Sequence, residues 1–581
     1  MTTVAPARSG TVYFREVCES TAGALAGLSC HRSLEDVAAM YEAPDRKGLG
    51  DSAFPCFPLA KELKMAPQEI ASQLAGRMER PRSVTDVRAI GGYLNVWYKP
   101  EIVAAEVLPI IAAQGQRYGS AEEGRGRTIC MDYSHPNIAK PFGVGHLRST
   151  VIGHSLKRIL EKLGYSTIGI NHLGDWGTQF GKLIVAFREW GDEGKLAAEP
   201  IAHLYDLYVR FHADAESDPG LEERARREFK KLEDGDRDNR LLWQRFRDLS
   251  LSEFERVYRR LGVTFDSDAG EAFYNERLSP LIDRLVQSGV ARSGEDGALI
   301  IPIGGEGEAP LLLRKADGAT LYATRDLAAA EYRYDTYHFD RCLYIVGSAQ
   351  ALHFQQLFAA LKAMGHDWAE RMVHVEFGWV KFADTMMSTR RGNIIFLDDV
   401  LAEAVERTKR IIADKNPALE DADAVAEAVG VGAVVFWQLS VKRQKDVNFD
   451  WDDALAFDGR TGPYLQYTHA RLSSLLAKWG KPISMDRVAW GHLNSEEERK
   501  LVLRLGDWPR AIQVAGRQYE PQVLAAALLD TAQLYNTFYQ KVRILDGEAE
   551  AAPARILLSD CVRQVLAEGL CLLGLQAPHQ M

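Results

Sequence analysis

The spacing of apolar positions changes several times along this chain, and each change predicts an element. Ile129, Cys130, Met131, Asp132 and Tyr133 form a short run that predicts a strand with a buried face. Leu147, Val151, Ile152, Leu156, Ile159, Leu160 and Leu163 then recur at helical spacing, and Gly164 supplies a left-handed stop. A second strand is predicted over residues 166–170, completing a strand–helix–strand unit. Further on, residues 299–303, 341–346 and 372–375 read as strands, with helices near Ala328 and Phe354 between them. That alternation predicts a parallel sheet. Residues 182–265 are helical and charged, and the run from Leu221 to Lys231 predicts a solvated helix face. Upstream, residues 59–78 read as a helix, residues 91–98 as a strand and the glycine-rich residues 119–126 as a linker. Beyond Arg460 the chain is helical, with Leu524, Leu528, Leu534, Tyr535 and Phe538 mostly on one stripe.

Composition narrows the class without choosing a function. With 581 residues, 46% hydrophobic and 26% charged, the chain suits a soluble protein of several domains. No window is expected to cross a bilayer, and the first residues lack the apolar core of a signal peptide. None of the seven cysteines pair at metal-ligand spacing, so reduced thiols in a cytoplasm and no protein-bound metal are expected. The net charge of −10 does not exclude RNA, because a nucleic-acid face needs only a local basic surface.

The chemistry concentrates where the first strand meets its helix. Residues 135–148 read His-Pro-Asn-Ile-Ala-Lys-Pro-Phe-Gly-Val-Gly-His-Leu-Arg. A helix N-terminus offers unpaired N–H groups and a positive dipole end to anions. Gly143 and Gly145 allow close approach of a ligand to the backbone, and His146 points at a phosphate placed there. The stretch lacks the lysine and hydroxyl residue of a Walker loop and the three glycines of a dinucleotide fingerprint. Three more stretches follow in order. Residues 171–181 form a glycine-rich turn after the second strand, residues 312–315 lead into residues 321–330, and residues 386–393 read Met-Met-Ser-Thr-Arg-Arg-Gly-Asn. His135 is not assigned a general-base role.

In this order the four stretches resemble the signatures of class I aminoacyl-tRNA synthetases, and their details resemble arginyl-tRNA synthetases over essentially the whole chain. The resemblance implies an α/β fold with a Rossmann-like parallel-sheet catalytic core at residues 119–459 and a helical insertion at about 182–265. It also implies a small N-terminal α/β domain at 1–118 that contacts tRNA, and an all-helical anticodon-binding domain at 460–581. The implied reaction joins L-arginine to tRNA(Arg) through an arginyl-adenylate, with ATP and Mg2+ as its escort, held by phosphates and water. A cytoplasmic monomer with no membrane partner is the family habit. Lys140, His146 and Ser388 are implied as catalytic, and Gly143, Gly145, His146, Met387, Ser388 and Arg390 as ATP-binding. For arginine the implied set is Asn137, Tyr322, Asp326, Gln350 and Glu271. Asp326 also reads as a helix N-terminal carboxylate, a role compatible with the first. Tyr464 and Tyr467 are candidates to stack on RNA bases, with packing in the core as the alternative.

Two positions depart from the family pattern. Gly143 replaces the first of two usual histidines, and Thr389 replaces a lysine that many class I enzymes use on phosphates. A water or the Gly143 N–H is expected to stand in for the first, and Lys140 for the second, with Arg390 and Arg391 keeping the segment cationic. The alternatives are a class I synthetase for another amino acid and a catalytically weakened RNA-binding paralogue.

Overall fold

The fold comes from a computed structural model that describes residues 11–42, 44, 48–294, 296–303, 310–316, 321–382 and 396–581. At the N-terminal end, β1 (Ser52–Pro55), β2 (Val84–Ile90) and β3 (Tyr93–Tyr98) form an antiparallel sheet in the order β1-β3-β2. Residues 59–78 do not make one helix. Helix Ala60–Leu63 stops at Lys64, which takes φ +52°, and the chain restarts as helix Pro67–Arg77 with proline in its first turn.

A parallel sheet begins with β4 (Thr128–Asp132) and β5 (Ser166–Ile170), joined by helix Val144–Lys162. Next in the chain come β6 (Arg292–Ser293), β7 (Leu299–Ile301) and β8 (Leu311–Arg314). Then β9 (Arg341–Tyr344) and β10 (Met372–His374) return to the sheet, which has the order β10-β9-β4-β5 and is parallel throughout. The connections leave the β4–β9 pair in opposite directions, so a crevice opens at their carboxyl ends, where α/β sheets bind ligands. Residues 299–303 do not join this sheet. β7 pairs antiparallel with β6 and β8 because its link to β8 is shorter than the dozen or so residues a parallel crossover needs. A last pair, β11 (Val380–Phe382) and β12 (Val447–Phe449), forms a separate parallel ladder.

Two further expectations change. Helix Ala422–Leu439 is long and apolar enough to cross a membrane by length and composition, with mean hydropathy 1.4, and 67% of that stretch is buried inside the fold. Its burial is tight. A Cβ on Gly430 would lie 2.8 Å from the Val405 backbone nitrogen, so glycine is what lets helix Leu397–Lys415 pack against it. Residues 119–126 are not a loose linker either. The Ala121 and Gly124 N–H groups donate to the Lys162 and Leu163 carbonyls at 3.1 and 2.9 Å, fastening the stretch to the end of helix Val144–Lys162.

The stretch expected as an insertion, about 182–265, falls within a run of helices Thr178–Trp190, Glu193–Ala198, Pro200–Ala215, Gly220–Glu233 and Arg237–Leu261. In helix Gly220–Glu233, Leu221, Ala225 and Leu232 face inward while Arg227–Glu223 and Lys230–Asp234 pair outside, as expected of a solvated face. The C-terminal helices pack on helix Val144–Lys162: Ser155 Oγ donates to the Leu572 carbonyl at 3.0 Å, and Lys162 pairs with Glu568 at 2.7 Å.

Two buried histidines set a pH response. Burial pushes His154 down to about 3 and His469 to about 4, both below the ordinary value of 6.5. As pH falls below that value the unfolded chain takes up protons that the folded chain refuses, so stability present above pH 6.5 is lost progressively toward pH 4. The melting temperature is expected to fall between pH 7 and pH 5. His154→Leu should shrink that fall, and an unaltered pH slope in the variant would remove His154 from the account.

Candidate active site

The loop after β4 is held in a conformation that the sequence alone does not favour. Ser134, His135 and Ala139 have φ of +83°, +56° and +60°, each costing roughly 1–3 kcal/mol for a residue other than glycine. Hydrogen bonds hold the strain in place. Ser149 Oγ accepts from the Ser134 N–H at 3.0 Å, Ser250 Oγ accepts from the Ala139 N–H at 2.8 Å, and the Ser134 and Tyr258 hydroxyls lie 2.8 Å apart. The glycine-rich turn after β5 zips onto this loop. Gly174 donates to the Pro136 carbonyl and accepts from the Ile138 N–H, at 3.1 and 3.2 Å. A Cβ on Gly174 would sit 2.3 Å from Asn137 Oδ1, so any side chain there would displace the Asn137 amide.

At the start of helix Val144–Lys162, His146 Nδ1 accepts from the Gly143 N–H at 3.2 Å. An N–H pointing at Nδ1 requires a lone pair there, so the neutral ring carries its proton on Nε2. Burial, then the nearby His135 and Lys140, push the imidazole down to about 4, which keeps it neutral near pH 7. The arrangement also corrects one expectation: the Gly143 N–H is engaged by His146 and is not a spare donor. Nothing lies within 4 Å of a Cβ built on exposed Gly145, which leaves the backbone of this turn open to a ligand. Lys140 is half-buried with Nζ 4.8 Å from the centre of the Tyr208 ring, and burial lowers its pKa. It forms no ion pair among the described residues.

Met387, Ser388, Thr389, Arg390 and Arg391 lie outside the described residues. The chain on either side of them is tied to the first helix. Fully buried Arg148 donates to the Gly378 and Trp379 carbonyls at 2.7 and 3.3 Å. On the far side, the Leu397 N–H donates to the Phe142 carbonyl at 2.9 Å.

Asn137, Glu271, Tyr322, Asp326 and Gln350 all line one cavity of about 380 Å³ at the crevice. They come from four separate stretches of chain. Asp326 sits in the second turn of helix Tyr322–Tyr337, so it is not the N-terminal carboxylate of that helix. Its Oδ2 is 2.7 Å from His353 Nε2, and its Oδ1 is 4.0 Å from His172 Nε2. Tyr322 is 59% exposed at the mouth. Burial raises Glu271 to about 7 against the pull of Arg325, with Asp326 and Asp175 adding to the rise. Asn137 and Glu271 also line a neighbouring cavity of about 330 Å³ with Trp176, Gln179, Lys182 and Tyr208.

The charged floor of the site is not foreseen from the sequence. Asp132, at the end of β4, is buried, yet Arg333 Nη1 at 2.7 Å and His135 Nε2 at 2.5 Å outweigh that burial and hold its carboxyl well below the usual range. Arg333 is itself fully buried, and its Nη2 lies 3.4 Å from His172 Nδ1. The sequence offers two signals, an aspartate ending an apolar strand and the place of His172 inside the glycine-rich stretch at residues 171–181, whereas Arg333 and His353 sit in no motif that marks them.

The chain is similar to known proteins over most of its length. Residues 107–451 match the family described as tRNA synthetases class I (R), catalytic domain. Residues 465–581 match the DALR anticodon binding domain, and residues 16–97 the arginyl tRNA synthetase N terminal domain. The arginine–tRNA ligase of Clostridioides difficile (strain 630) is 45% identical over 549 residues, covering 94% of this chain and 97% of that protein. That of Exiguobacterium sibiricum is 47% identical over 554 residues, with coverage of 94% and 97%. The solved arginyl-tRNA synthetase of Thermus thermophilus superposes with a TM-score of 0.83 at 27% identity, covering 98% of this chain and 100% of its own. The Plasmodium falciparum arginyl-tRNA synthetase shares the fold, with a TM-score of 0.81 at 23% identity and full coverage of both chains. A parallel sheet with its ligand crevice at the β4–β9 switch, flanked by matching N-terminal and anticodon-binding regions, makes this chain a member of the class I arginyl-tRNA synthetase family.

Proposed function

We propose that this chain acts as an arginine–tRNA ligase, converting ATP, L-arginine and tRNA(Arg) to AMP, diphosphate and arginyl-tRNA(Arg) through an arginyl-adenylate. The observation that carries the residue assignment is the meeting of Asn137, Glu271, Tyr322, Asp326 and Gln350 in one cavity beside the His146 helix. A guanidinium is a planar fork of donors and selects planar acceptors. Asp326 supplies a carboxylate, Gln350 an amide oxygen and Tyr322 a ring at the mouth. Asn137 and Glu271 hold the α-amino end, toward the neighbouring cavity.

The arginine carboxylate then attacks the α-phosphate of ATP, a step that needs in-line placement and positive potential rather than a protein base. His146 donates from Nε2, Gly143 and Gly145 leave the turn open to the phosphates, and Lys140 supplies the cation that Thr389 lacks. Met387, Ser388 and Arg390 complete the ATP site. Magnesium enters with ATP, held by phosphate oxygens and water. The aminoacyl group passes to a terminal ribose hydroxyl of tRNA. We assign residues 1–118 to an added tRNA contact, 119–459 to catalysis with its insertion at about 182–265, and 460–581 to the anticodon. The working form is a cytoplasmic monomer.

Of the two candidate stacking rings, Tyr467 suits a base better. Tyr464 is half-buried and its hydroxyl accepts from Asn536 Nδ2 at 2.8 Å. Tyr467 is 37% exposed, with the Arg471 guanidinium carbon 4.9 Å from its ring centre and 5.4 Å from that of Tyr539. Stacking on an aromatic ring contributes about 1–3 kcal/mol per base, so Tyr467→Ala should raise the KM for tRNA roughly five- to hundredfold. The KM values for ATP and arginine should stay put, and an unchanged tRNA KM would remove Tyr467 from the interface.

Arginine-dependent ATP–pyrophosphate exchange, measured with and without cognate tRNA, tests the whole reading. Exchange that depends on arginine supports it. Binding of tRNA without exchange under either condition would favour the noncatalytic paralogue.

A further inference from the structure

Two of the side chains assigned to the guanidinium, Tyr322 and Asp326 of helix Tyr322–Tyr337, meet one imidazole from another helix. His353 lies in the first turn of helix Ala351–Ala363 and lines the same cavity. Its Nε2 is 2.7 Å from Asp326 Oδ2. The centre of its ring is 4.9 Å from that of Tyr322 and 5.3 Å from that of Phe354, so the imidazole is braced from its own helix while it props the tyrosine. Gln350 stands at the entrance of that helix, three residues earlier.

An ionised carboxylate only accepts hydrogen bonds, so the proton in the short contact belongs to Nε2. The Nε2–H donor fixes one oxygen of Asp326 in place. The other oxygen has no hydrogen-bond partner among the described residues, with His172 at 4.0 Å as its nearest ring nitrogen. Paired recognition of a guanidinium depends on the plane of the carboxylate as well as on its charge.

We infer that His353 is a positioning residue for amino-acid selection: it holds Asp326 and Tyr322 in the geometry that accepts a guanidinium. The inference rests on the reading of this cavity as the arginine site. It assigns His353 no contact with ATP and no proton transfer.

The test compares His353→Gln with His353→Asn in arginine-dependent exchange, with melting temperatures measured alongside. The glutamine amide reaches the position of Nε2, whereas the asparagine amide stops near that of Nδ1. Loss of a hydrogen bond to a charged group predicts that His353→Asn raises the KM for arginine roughly ten- to hundredfold. The ATP KM should stay within about twofold, and His353→Gln should recover most of the loss. An arginine KM unchanged in His353→Asn would overturn the inference. So would equal rises for arginine and ATP, or equal defects in the two variants. Wild-type protein with no arginine-dependent exchange would instead overturn the parent reading of the cavity, and this inference with it.

Discussion

Replacing Lys140 with alanine is expected to lower the turnover of ATP–pyrophosphate exchange by about 10²–10³-fold, the usual loss when one donor to developing negative charge is removed from a water-poor site. The physical case is that Lys140 is a cation kept for a substrate. It forms no ion pair among the described residues, its Nζ rests 4.8 Å from the centre of the Tyr208 ring, and burial makes its charge costly without a partner. Phosphate oxygens would relieve that cost. Tyr208 belongs to helix Pro200–Ala215 of the insertion, so the insertion helps to aim the lysine. The neighbouring His146 responds electrostatically to Lys140, which places both beside the same turn. Arginine affinity should change little in the variant, because Lys140 does not line the arginine cavity. Exchange within about threefold of wild type would transfer the role to residues 387–391 and end the Lys140 assignment.

Asp326→Asn is expected to raise the KM for arginine by ~100-fold or more while the KM for ATP moves little. Three carboxylates line the cavity, and they are not equivalent. Asp132 is spent on Arg333 and His135. Burial raises Glu271 to about 7, so near neutrality it is only partly charged before a cation arrives. Asp326, 24% exposed and bonded to His353 through a single oxygen, is left as the carboxylate for the substrate guanidinium. Asparagine keeps an oxygen for His353, so the variant should fold normally and isolate the charge. Equal increases in the two KM values would show instead that Asp326 supports the site as a whole.

Much of this site is legible in the order of residues along the chain. The strand–helix–strand spacing around residues 128–170 predicts β4, helix Val144–Lys162 and β5 because local periodicity reports one buried face. The five arginine-site candidates, named from a family resemblance, do share one cavity. Expectations that need a partner elsewhere in the chain fare differently. Strand β7 is a strand as its apolar run predicts, but such a run does not disclose its neighbour, and a short connection puts it in an antiparallel sheet. The apolar helix Ala422–Leu439 stands out by length and composition, and only its packing against helix Leu397–Lys415 explains where that apolar surface goes.

The chain's own sequence determined the family, the order of its signatures and the residue types the chemistry requires, since these are carried by short runs in which neighbours along the chain act together. Tertiary structure alone decided how those groups divide their work. It paired Asp132 with Arg333 from a distant helix, bonded Asp326 to His353 and left Lys140 with no ion pair among the described residues. Each of these outcomes depends on distance and burial, and the Asp132–Arg333 and Asp326–His353 contacts join residues far apart in sequence. Hydrogen bonding and the cost of an unpaired charge are settled only once the chain has brought them together.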